Sequence, residues 1–227
     1  MNTGYITYLL LVLSIQPYFS AEPIPLCVAA RTGNVPAVVH YLASKGSADI
    51  QDHYGNTPLH YAAQHNYLTI MEHLIAHNAP IDARNSDLNT PLHMATGNGH
   101  PAAMDLLIRN GCLVNAINRY GSTPLHHAAM IGNLKAIRLL IASGALINYT
   151  LPGRHRDKPI DRAIYHNHVS TVCALLNAGA IPPRVVTSIN PRIRHLLTLA
   201  HIGARYEIAQ EDARNNGPKA SLPNGHH

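Results

Sequence analysis

The sequence predicts an all-α fold, a solenoid of paired antiparallel helices joined by short β-turn connections. Three observations carry that prediction. The tetrapeptide Thr57-Pro58-Leu59-His60 recurs as Thr90-Pro91-Leu92-His93 and Thr123-Pro124-Leu125-His126, at a fixed spacing of 33 residues. Each copy is followed by a pair of small residues, Ala62-Ala63, Ala95-Thr96 or Ala128-Ala129, and then by a more apolar stretch. The composition, 46% hydrophobic and 13% charged with one Phe and no Trp, suits a thin two-layer stack better than a globular enzyme with an aromatic core.

Each unit reads from its start. Thr offers a side-chain oxygen to the unpaired amides of a helix N-terminus, and Pro fits the first turn, where its missing N–H is not needed. The small pair lets neighbouring first helices approach closely. The helix stops at Asn66, Gly99 or Gly132, residue types that tolerate the left-handed conformation of a helix end. A second helix follows over Leu68–Ala76, His100–Arg109 or Leu134–Ala142, and pairs such as Leu74-Ile75, Leu107-Ile108 and Leu139-Leu140 supply a shared core. A turn at Asn78-Ala79, Asn110-Gly111 or Ser143-Gly144 and a short polar segment lead to the next unit.

This pattern resembles the ankyrin repeat, whose T-P-L-H-x-A-A opening, G-H or G-N turn and G-A-x-[IV]-[DN] close all occur here. Stepping back by the same period lands on Pro25-Leu26-Cys27-Val28-Ala29-Ala30, a degenerate copy without the opening Thr and with Cys27 in the His slot. Stepping forward lands on Pro159-Ile160-Asp161-Arg162-Ala163-Ile164, with two extra residues in the loop before it. Five repeats are expected, over 22–52, 53–85, 86–118, 119–151 and 152–183. Terminal repeats are atypical because one of their faces meets water.

The flanks differ in character. Residues 5–15 are an apolar run ahead of the small pair Ser20-Ala21, a layout that reads as a signal peptide over 1–21 and hence a secreted or periplasmic protein. The competing readings are a membrane anchor through residues 5–15 and an apolar cap on the first repeat within a cytoplasmic protein. Residues 184–205 read as a capping region with a helix over 191–203, and residues 206–227, polar with Gly and Pro, as a disordered tail.

Cys27, Cys112 and Cys173 fall in separate repeats, too far apart to bridge. The seventeen histidines raise a metal-binding alternative, but their spacings lack Cys or carboxylate companions, so no metal site is expected. The resemblance gives His60, His93 and His126 a local hydrogen-bonding role near the turn, and His100 and His168 a structural one at the second-helix entry. Charge is uneven: 22–151 is neutral, whereas 152–205 carries eight Lys/Arg against Asp157 and Asp161. No aromatic interleaving or nucleic-acid motif accompanies that basic end, so nucleic acid is not expected as a partner. No phosphate-binding Gly loop, nucleophile elbow or H-E-x-x-H occurs, so no enzyme, catalytic residue, cofactor or small-molecule substrate is expected.

What remains is protein binding by a monomeric adaptor of the exported or effector type. In ankyrin repeats the turn tips and the exposed side of the first helix line a concave surface. The resemblance maps partner contacts onto His53, Tyr54, Asn56, Gln64 and His65 in the second repeat, and onto Ser86, Asp87 and Asn89 in the third. It maps Arg119, Tyr120, Ser122, Met130 and Ile131 in the fourth, and Arg154, Arg156, Tyr165 and His166 in the fifth. Tyr and Arg are favoured interface anchors, which singles out Tyr54, Tyr120 and Tyr165.

Overall fold

The computed structural model describes residues 25–44, 46–152, 157–183, 190–203 and 205–216. Among them the secondary structure is helical and no strand occurs. Ten helices form five antiparallel pairs: α1 (Leu26–Thr32) with α2 (Val35–Ala43), α3 (Pro58–Gln64) with α4 (Leu68–Ala76), α5 (Pro91–Gly97) with α6 (Pro101–Arg109), α7 (Pro124–Ile131) with α8 (Leu134–Ala142), and α9 (Pro159–Tyr165) with α10 (Val169–Asn177). The first helix of each pair packs on the first helix of the next, and the second on the second. Two layers result, with the core between them.

That core is why no pair could stand alone. Leu59, Leu92, Leu125 and Ile160, one from each motif, are buried together with the small pairs that follow them. Opposite them lie Ile70, Met71 and Leu74 of α4, Met104 and Leu107 of α6, and Ile137 and Leu140 of α8, in one continuous cluster. A nine-residue helix is marginal in water by itself, so the stacking of these apolar faces holds the elements in place.

The turns between paired helices need left-handed backbone. Asn66 has φ 58° and Gly132 φ 71°. At Gly132 a Cβ would also stand 2.4 Å from Nδ1 of His168, the residue that opens the second helix of the next pair. Glycine there serves conformation and close approach at once.

At the C-terminal end α11 (Pro191–His201) packs on α10 and buries Ile193, Leu196 and Leu197. The structure then departs from the sequence-based expectation. A twelve-residue helix, α12 (Arg205–Asn216), stands where composition suggests a structureless tail, and it packs along α10. Ile208 is buried, and ion pairs fix the helix at two places: Glu211 to Arg192 at 2.6 Å and Asp212 to Arg138 at 3.4 Å. The Glu211–Arg192 pair also lessens the basic character read for 152–205, because an acidic residue beyond that window folds back onto it.

Candidate protein-binding face

The loops that carry the expected contacts are built on a histidine bracket. Thr57 caps α3 from an extended conformation, and its backbone N–H donates to Nδ1 of His60 at 3.1 Å. Nδ1 is therefore an acceptor, the proton sits on Nε2, and Nε2–H donates to the carbonyl of Asn89 in the following loop at 2.9 Å. His93 makes the same bracket from Thr90 to the carbonyl of Ser122, and His126 from Thr123 to that of Asp157. In the first pair Cys27 takes over the outward half: its thiol faces the carbonyl of Asn56 at 3.7 Å.

Burial disfavours the charged form of these rings. His60 and His127 are held below the ordinary histidine range, and His93 and His126 are pushed down to about 4. For His93 the hydrogen bond to Ser122 opposes the shift, while His127, whose ring centroid lies 5.4 Å away, and Arg84 reinforce it.

The loops themselves are shaped by a period that the sequence reading did not single out. Asp52, Asn85 and Asn118 recur 33 residues apart, and each folds its loop by accepting two backbone N–H groups with one side-chain oxygen. Neighbouring loops are stitched by Asn85 to Asn56 at 2.9 Å and Asn118 to Asn89 at 3.0 Å, and by backbone bonds from Ser86 to Tyr54 and from Arg119 to Asp87. The tips therefore stand in a row. The equal spacing of these three residues was the signal available in the sequence.

The expected contact residues divide into two groups on this frame. His53, Tyr54, Ser86, Asp87, Arg119 and Tyr120 are exposed on the aligned tips, and His65, Met130, Tyr165 and His166 are exposed at the ends of the first helices. Tyr54, Tyr120 and Tyr165 show 59%, 66% and 83% of their surface. Asn56, Asn89 and Ser122 are half-buried and are occupied in loop stitching or bracket bonds, and Gln64 and Ile131 are half-buried as well. Arg154 and Arg156 lie outside the described residues. Arg119 pairs with Asp87 across adjacent tips at 4.0 Å, so the row presents little net charge at its centre.

All three cysteines are buried, and desolvation pushes Cys27 up to about 11 and Cys112 and Cys173 up to about 12, leaving no thiolate nucleophile at neutral pH. Among the described residues no three His, Cys, Asp or Glu side chains come together to hold a metal ion.

Stacked helix pairs, bracketed loops and a row of exposed tips define a helical repeat protein. The family model described as Ankyrin repeats (3 copies) matches residues 5–85 and 92–185, and that described as Ankyrin repeats (many copies) matches residues 65–108. The chain belongs to the ankyrin-repeat family and is a non-enzymatic, protein-binding scaffold. A search of curated proteins finds none that matches it.

One expectation about partners has to be corrected. Among the described residues no helix is long and apolar enough to cross a membrane. Residues 5–15, the anchor of that reading and the apolar core of the signal-peptide reading, lie outside the described residues, and the first family match begins at residue 5, so this run is counted with the repeats.

Proposed function

We propose that this scaffold holds a partner protein against the face formed by its loop tips and the ends of its first helices, with Tyr54, Tyr120 and Tyr165 as anchors. The observation that carries this reading is the row of tips: rigid aromatic side chains more than half exposed, on loops whose backbones are bonded to one another. Such a surface is preorganised, so little conformational entropy is lost when a partner seats on it. Tyr120→Ala leaves the denaturation midpoint nearly unchanged, since the ring is 66% exposed, and weakens partner binding by about tenfold or more. The check is affinity for a partner recovered by cross-linking at Tyr120 in the producing cells; undiminished affinity of the variant overturns the reading.

We also propose export, on the strength of the apolar run over 5–15 followed by Ser20-Ala21. Mass spectrometry of the mature chain from fractionated cells tests it. A start at Glu22 outside the cytoplasm supports export, and an intact Met1 inside the cell ends it.

A further inference from the structure

At the N-terminal end of the same face, α1, the first loop and α3 enclose a notch of about 170 Å³ lined by Cys27, Val28, Arg31, Asp52, His53, Tyr54 and Tyr61. One of its lining residues stands out in the repeat pattern by its size. Val28, Tyr61, Met94, His127 and Arg162 occupy the same slot of successive repeats, and the first copy alone has a short branched side chain there. The volume is well below the roughly 300 Å³ at which sites for whole small molecules begin, and suits one side chain of a larger partner.

Its polarity is lopsided. The carboxylate of Asp52 is turned into its own loop, where Oδ1 accepts from the N–H groups of Tyr54 and Asn56 and Oδ2 accepts from the Tyr61 hydroxyl. The walls left to an incoming group are the thiol-bearing floor at Cys27, the Val28 methyls and the two tyrosine rings. At the lip, the Arg31 guanidinium lies over the Tyr61 ring, 5.9 Å from its centroid. Among the described residues no carboxylate forms an ion pair with it.

We infer that this notch receives an aliphatic or aromatic side chain of the partner protein, with a carboxylate next to that side chain in the partner's sequence pairing with Arg31. The inference rests on the proposed use of this face and adds the chemistry of one contact. Arg31 braced on Tyr61 is preorganised for a carboxylate fork, and the pocket beside it supplies the apolar half of the recognition.

The experiment uses the full chain labelled with ¹⁵N and two probes, N-acetyl-L-phenylalanine as its carboxylate and the corresponding N-acetyl-L-phenylalanine amide. The carboxylate shifts the amide signals of Val28, Tyr54 and Tyr61 and saturates in the millimolar range expected of so small a ligand. The amide binds about threefold more weakly, as an exposed ion pair allows. Arg31→Gln removes that difference, and Val28→Phe, which fills the notch, removes both responses while the denaturation midpoint holds. If Val28→Phe fails to fold, the comparison of the two probes on wild type and Arg31→Gln still decides. Absence of shifts at these residues up to tens of millimolar, or equal binding of acid and amide by the wild type, overturns the inference. Once a partner is in hand, loss of its affinity with Tyr120→Ala but not with Val28→Phe overturns the notch while leaving the wider face in place.

Discussion

The Thr and His of each motif act as one unit, and the stability of a repeat junction depends on both. Thr90 closes the start of α5, and His93 accepts from its N–H at 3.2 Å while reaching the next loop. Thr90→Ala removes the hydroxyl, which lies 3.0 Å from Nδ1, but keeps the backbone half of the bracket. The expected cost is about 1 kcal/mol, and Thr90→Ser recovers most of it. Urea denaturation measures both, and an unchanged midpoint for the alanine variant would show that the hydroxyl has no capping role. At this scale the sequence was legible where residue types have fixed local habits: the caps at Thr57, Thr90 and Thr123, the proline starts and the glycine stops are all where pattern alone puts them. Asp52, Asn85 and Asn118 were not legible in this way, because a polar residue in a loop can equally face a partner or fold the loop. Asn56, Asn89 and Ser122 were placed at partner-facing slots by the family resemblance, and in the structure their polar groups take part in the bonds that fold and link the loops.

Helix identity followed from apolar pattern wherever a helix buries a face, and it was lost where burial is slight. Residues 191–203 carry Ile193, Leu196 and Leu197 on one side, and α11 forms over Pro191–His201. Helix α12 has no such stripe. It is mostly polar, and it rests on the 1%-exposed Ile208 and on ion pairs with residues distant in sequence, Arg138 in α8 and Arg192 in α11. Composition cannot reveal a helix whose partners are supplied by other elements. Exposed ion pairs contribute at most about 1 kcal/mol each, so the single isoleucine is the larger hold. Ile208→Asp therefore releases α12. Amide hydrogen exchange across residues 205–216 becomes fast in the variant, while α3 to α8 keep their protection. Retained protection in α12 would place its anchorage in the ion pairs, and repeating the measurement in high salt would then remove it.

Across the whole molecule the brackets become a pH dependence. Each of the three histidines sits at a junction between successive repeats, with its Nδ1 occupied by a threonine N–H and its Nε2–H given to the next loop. Protonation would put a second N–H against the threonine N–H, two donors facing each other, so the folded rings stay neutral. In the unfolded chain the same residues take a proton near the ordinary histidine value of 6.5, whereas folded His93 and His126 do so only near 4. Over that window the unfolded state binds more protons. Stability is thus complete above about pH 6.5 and falls as the pH drops toward 4, by on the order of 3 kcal/mol for each of these two groups. Arg84 and His127 face His93, and Arg162 and His127 face His126, which opposes protonation further. Because a repeat array is held by nearest-neighbour junctions, the loss comes at the middle of the stack, where α3 to α9 meet, and splits the molecule there. Chemical denaturation between pH 7.5 and 4.5 should show a midpoint that declines steadily, with the transition broadening as the halves uncouple. His93→Gln, which can accept from the threonine N–H but cannot titrate, lowers stability at pH 7.5 and flattens the decline. A variant whose midpoint falls with pH as steeply as the wild type would show that acid acts elsewhere, and the junction histidines would then be structural groups without a part in the molecule's response to acid.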